Sequence, residues 1–204
     1  MSSTGTRAFT LPHEPLTPLD THKRPTVFTL RLLNQEINTN AQSVPSTLGG
    51  GGHGHLGMLM TDAKYLAITA QLVPYVFPVP PPLPVLVGNT IQREQQRLQL
   101  KEATDLYNDA RQLQTQLRNL LVQAVPPVYI AKLKKGELGL ANVTPREILE
   151  HLKTTYGSIT PKDLEDNLIK IECPWNTKEP IKTVFVNGDE SRDFAFLGDE
   201  PIAD

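Results

Sequence analysis

The chain has 204 residues, 39% of them hydrophobic, and 20 Lys+Arg against 22 Asp+Glu give it a formal net charge of -2. That content supports a buried core in one domain or two small ones, and the near-neutral balance excludes a general electrostatic pull on nucleic acid. Cys173 is the single cysteine, so an internal disulfide is excluded and a reducing, cytoplasmic setting is expected.

The opening, MSSTGTRAFT, lacks the apolar stretch of a signal peptide. Residues 1–24 mix Ser, Thr, Pro and charge without periodicity, and Pro12, Pro15 and Pro18 argue against a helix, so a flexible tail is expected. Pro25 suits a first helical position. Val27, Phe28, Leu30, Leu32, Leu33 and Ile37 then predict an apolar-rich helix that ends near Asn38 to Asn40.

Residues 49–57 hold six glycines with His53 and His55 between them. Such a backbone reaches conformations closed to other residues. A phosphate-cradling loop requires a Lys-Ser/Thr pair that is absent, and a metal site finds only Asp62 to join the two histidines. A flexible or tightly turned connector is the better reading. Leu56 to Met60 begin a short helix, and Thr61 caps a second through Ala63, Tyr65, Leu66 and Ile68.

The run VPYVFPVPPPLPVL, with prolines from 74 to 84, breaks the longest apolar stretch, so no membrane-spanning helix forms there. It predicts an extended, polyproline-like strap. Two uses stand open: a ligand for an SH3-type or WW-type domain, or a rigid strap that buries Tyr75, Val76 and Phe77, the second favoured by its apolar flanks.

From Asn89 to Val125 the pattern is the most regular in the chain. Ala103, Leu106, Tyr107, Ala110, Leu113, Leu117, Leu120, Leu121 and Ala124 recur at steps of three and four, which predicts one amphipathic helix over about 90–125. Asn89 or Thr90 caps its start, Pro126 and Pro127 end it, and its length is about 50 Å. Shorter helices are expected to pack along it. Arg93, Arg97 and Lys101 form a basic row diluted by Glu94 and Glu102, which reads as a solvated face.

A brief helix is expected over Val128 to Leu133, before the exposed turn KLKKGE with Lys132, Lys134 and Lys135. Thr144-Pro-Arg-Glu147 is a capping box. It opens a helix with Ile148, Leu149, Leu152 and Tyr156 inward and Gly157 as its stop. Thr160, Pro161 and Asp163 repeat the signal, and Leu164, Leu168, Ile169 and Ile171 supply the next stripe. Glu179 and Pro180 open a last helix through Ile181, Val184 and Phe185, which Asn187 and Gly188 are expected to weaken. Phe194, Phe196, Leu197 and Ile202 show no partners downstream.

The predicted organisation is therefore all-α: the tail 1–24, a helical domain 25–143 holding the Gly-rich (49–57) and Pro-rich (74–84) connectors, and a second helical region 144–204. No catalytic, cofactor-binding or metal-ligating set is predicted, since paired carboxylates, G-x-S-x-G, H-E-x-x-H and a cysteine cluster are all missing.

The order of segments adds an expectation of another kind. NTNAQSVPSTLGGGGHGHLGMLMTDAKY, AVPPVYIAKLK, ILEHLKTTYGSITPKDLEDNLIKI, PWNTKEPIKTVF and GDEPIAD occur in succession. In these pieces the chain resembles the Gag-like capsid region of copia-type LTR retrotransposons over residues 26 to 204. The resemblance implies two small helical domains that self-associate into a particle shell around the element's RNA, without enzymatic activity, membrane contact, cofactor or small-molecule substrate. The zinc knuckle C-x-x-C-x-x-x-x-H-x-x-x-x-C is absent, so RNA contact is expected from a segment this chain lacks. Set beside the family, VFVNGDESRDFA is expected to interrupt the helix after Phe185, and the ending at Asp204 reads as a truncated second domain. The alternatives are a domesticated helical interaction module and a nucleotide-binding protein that uses the Gly-rich loop.

Overall fold

A computed structural model of the chain describes residues 15–70, 73–83, 87–172, 174, 178 and 180–197. The expected tail residues 1–14, Pro84, Glu179 and the ending from Gly198 onward lie outside the described residues. Among the described residues there are seven α-helices and no β-strand: α1 (Val27–Gln42), α2 (Asp62–Thr69), α3 (Thr90–Ala124), α4 (Pro127–Ile130), α5 (Pro145–Tyr156), α6 (Pro161–Glu172) and α7 (Lys182–Leu197). The all-α expectation holds, and so does the long central helix.

Each start follows from local chemistry. Asn89 accepts from the Gln92 amide and Gln92 reaches back to the Asn89 amide, both at 2.9 Å, so two orphan donors of α3 are satisfied. Thr61 caps α2, and Thr144 with Glu147 caps α5. Thr160 and Asp163 do the same for α6. α1 begins two residues later than Pro25 suggests, because Thr26 with Thr29 forms its capping box, and it runs on to Gln42.

The core joins the C-terminal half of α3 to α1 and α5. Leu33, Ile37 and Ala41 of α1 meet Ala110, Leu113, Leu117 and Leu121 of α3 and Ile148 and Leu152 of α5, all at most 1% exposed. Each fully buried Leu or Ile contributes about 1.5–3 kcal/mol. The boundary expected between 143 and 144 is therefore crossed by this core, since the Ile148/Leu152 row of α5 completes it. α6 and α7 pack chiefly on each other.

Three expectations are corrected. First, residues 15–24 are no tail. Leu16 and Leu19 are buried, the Leu19 amide donates to the Ala124 carbonyl at 2.8 Å, and Thr17 donates through its amide and hydroxyl to Glu36 at 2.8 and 2.6 Å. The Ala124 carbonyl is orphaned where the prolines end α3, and Leu19 supplies its missing donor. Second, α3 is packed by other helices over only part of its length. Burial begins at Ala110, while Ile91, Leu98 and Leu106 stay exposed. Third, α7 is continuous through Asn187 and Gly188. The glycine costs about 1 kcal/mol, which is offset where Phe194 and Ala195 are buried and Phe194 stacks on Phe28 at 4.4 Å between centroids.

Tyr75 and Phe77 hold the start of the proline strap on the core, and beyond it the Val87 amide donates to Gln96 Oε1 of α3 at 3.2 Å. Gln114 lines the pocket beside Tyr75 and Phe77. Gln114 and Gln96 are separated by about 27 Å of helix. Between them Leu100, Thr104 and Tyr107 are half-buried. Of the three residues expected to be covered, Tyr75 is buried and Phe77 half-buried, but Val76 is exposed.

Candidate functional site

The glycine run is anchored in the core through Gly49, Gly54, His55 and Gly57, which are buried. Gly54 has φ 53°, and a Cβ there would stand 2.5 Å from the Gln42 carbonyl oxygen, so only glycine lets the loop pass the end of α1. The next amide, His55, donates to the Ala41 carbonyl at 2.9 Å, and the Tyr65 hydroxyl donates to the Gly49 carbonyl at 2.9 Å. His55 Nδ1 lies 2.7 Å from the Tyr75 hydroxyl. Burial lowers the His55 pKa to about 4, so the ring is a neutral acceptor. Burial raises the pKa of Tyr75, and neighbouring Tyr65 raises it further, so its hydroxyl keeps its proton and donates.

This arrangement fits a tightly turned connector. His55 uses Nδ1 on Tyr75, and among the described residues no group of three His, Cys, Asp or Glu side chains is placed to hold a metal ion. The loop leads into a single 3-10 turn over Leu56–Met58 rather than a phosphate-facing helix.

A groove of about 400 Å³ lies between α1, the start of α2 and α5, lined by Val27, Leu30, Leu59, Met60, Leu149 and Leu152 together with Arg31, Lys64, Glu150 and Lys153. Its single carboxylate, Glu150, is held by Arg146 at 3.1 Å. The lining thus offers an apolar floor and cations, without a nucleophile paired to a base.

The basic row Arg93, Arg97 and Lys101 is exposed, as expected of a solvated face. Arg93 Nε donates to the Gly88 carbonyl at 2.9 Å, and Arg97 lies 3.7 Å from Glu94. Lys135 pairs with Glu147 at 3.5 Å.

The surface that stands out is apolar. At the linked ends of α6 and α7, Leu168, Ile169, Ile171, Ile181, Val184, Phe185 and Val186 are between 40% and 67% exposed. Deeper in the hairpin, Asn167 Nδ2 donates to the Ser191 carbonyl at 2.9 Å and holds the two helices together. These seven large apolar side chains make an exposed apolar end of the hairpin. Its one trace in the sequence is that Val184, Phe185 and Val186 are consecutive, more apolar residues in a row than one half-buried helix face needs. Compared with known protein families, with curated proteins and with solved structures, the chain matches none.

Proposed function

We propose that this chain is a structural, self-associating protein of Gag-like capsid type, as its resemblance to copia-type retrotransposon Gag implies, and that it performs no catalysis. On this reading its subunits join into a shell around the element's RNA in the cytoplasm, and the RNA is gripped by a segment this chain lacks. The apolar end of the α6–α7 hairpin carries the proposal, because a monomer would leave those seven side chains in water.

Sedimentation over a concentration series tests it. The average mass is expected to rise from micromolar to high micromolar protein, and Phe185→Glu is expected to shift that rise to at least tenfold higher concentration, since burial of one large apolar side chain is worth about 1.5–3 kcal/mol. A strict monomer at hundreds of micromolar overturns the proposal.

One observation favours a second reading, the interaction module. Val79 is 76% and Leu83 91% exposed on the proline strap, which leaves an uncharged, extended edge of the kind that aromatic-lined grooves accept. Titration with isolated WW and SH3 domains tests this reading, and loss of binding in Pro82→Ala is its expected signature.

A further inference from the structure

Two-fold contact between hairpins yields dimers and nothing larger, so a shell requires a second, independent contact on each subunit. The free half of α3 offers one. From Thr90 to Asp109 it carries no buried residue. Gln96, Leu100, Thr104 and Tyr107 are half-buried on one side. On the opposite side, Ile91, Leu98 and Leu106 fall within about 80° of one another around the helix, all exposed.

Charge is segregated along this half. Arg93, Arg97 and Lys101 lie toward its start, with Glu94 among them, and Glu102, Asp105 and Asp109 lie toward its end. A parallel pair of such helices would set the acidic stretch beside itself. An antiparallel pair sets it beside the basic one.

We infer that two copies of this chain pair antiparallel through the free halves of α3, with Leu98 of one against Leu106 of the other about a two-fold axis near Glu102. In that register Lys101 of one copy reaches Asp105 of the other on the flank. The two Glu102 side chains form the like-charge encounter at the axis, and Glu94 falls beside Gln112. Contact over about 30 Å of helix reaches the low end of specific interfaces, so the pair is reversible, as a lattice contact should be. The inference rests on the self-association reading and names its second contact.

The test is disulfide trapping under mild oxidation in the full chain with Cys173→Ser and, to silence the hairpin, Phe185→Glu. A mixture of Leu98→Cys and Leu106→Cys chains is expected to give linked dimers that neither gives alone, and Glu102→Cys is expected to link to its own copy. Adding Lys101→Glu should cut the mixed yield at least tenfold, and adding Asp105→Lys to it should restore the yield. Dimers of Leu98→Cys with itself, or yields no higher than for exposed Ser158→Cys, overturn the inference, as does failure of the charge reversal to rescue. If the unmodified chain assembles but no mixed dimer forms, this inference fails and the reading above stands. If mixed dimers form but no larger assembly does, the reverse holds.

Discussion

The Tyr75 hydroxyl lies 2.7 Å from His55 Nδ1 inside the protein, and this bond ties the proline strap to the glycine loop. It makes stability depend on pH. The His55 pKa falls from 6.5 to about 4 on folding, so between those values the unfolded chain takes up a proton that the folded chain refuses. The contribution is complete above pH 6.5 and is lost as pH falls toward 4, by up to about 3 kcal/mol in all. Urea midpoints measured from pH 7.5 to 4.5 should decline in the native chain. His55→Gln should lower the midpoint at pH 7.5 and flatten the slope; an unchanged slope would refute the assignment.

Gly57 should test the same link from the other side. A Cβ at Gly57 would lie 2.2 Å from Tyr75 Cβ, so Gly57→Ala forces Tyr75 off the loop. The expected cost is about 2 kcal/mol or more. Release of Tyr75 also opens His55 to water, and its proton NMR titration should move back toward the ordinary value. A variant that loses stability while His55 still resists protonation would show the two effects to be separate.

The cap of α5 gives a third expectation. The Thr144 amide donates to Glu147 Oε2 at 2.6 Å, and Thr144 Oγ1 accepts from the Glu147 amide at 3.2 Å. The Thr144 backbone bond, aided by its hydroxyl and by Lys135, holds the Glu147 pKa below its ordinary value of 4.5 against the opposing effect of burial. That stability is present above pH 4.5 and disappears as pH falls below it. Thr144→Ala should cost about 1 kcal/mol at pH 7 by thermal or chemical denaturation, and Glu147→Gln should be less sensitive to acid than the native chain.

These relationships differ in how far the sequence discloses them. Caps at Thr61, Asn89, Thr144 and Thr160 are legible because a short polar side chain bonds a backbone amide within its own turn. The rod of α3 is legible from periodicity. Periodicity does not say what covers a stripe, however: Leu98 and Leu106 lie on nearly the same face of the rod as Leu113 and Leu117, and only the second pair meets α1 and α5. Leu16 and Leu19 are hidden among prolines because their reason for order is a carbonyl at Ala124, far along the chain. The exposed apolar end at Phe185 is only faintly legible, for a related reason. Gly188 and Asn187 suggest a break in α7, and local propensity is outweighed by the packing of Phe194 on Phe28.

The inside of that hairpin yields a prediction against the usual direction of core mutations. Asn167 and Ser191 are both buried, and the Asn167 amide nitrogen bonds the Ser191 carbonyl, while Ser191 Oγ itself finds no protein partner. An unpaired buried hydroxyl costs about 1–3 kcal/mol, and alanine is also the better helix former. Ser191→Ala removes the hydroxyl and leaves the carbonyl bond intact, so it should be neutral or raise stability by up to about 1 kcal/mol. Asn167→Ala deletes the bond and opens a void between the helices, so it should destabilise by about 1–3 kcal/mol. Chemical denaturation of both variants, followed by hydrogen exchange in α6 and α7, measures the pair. Destabilisation by Ser191→Ala would mean that the hydroxyl is satisfied by an ordered water bridging α6 to α7, and the hairpin would then be held from both of its buried polar groups.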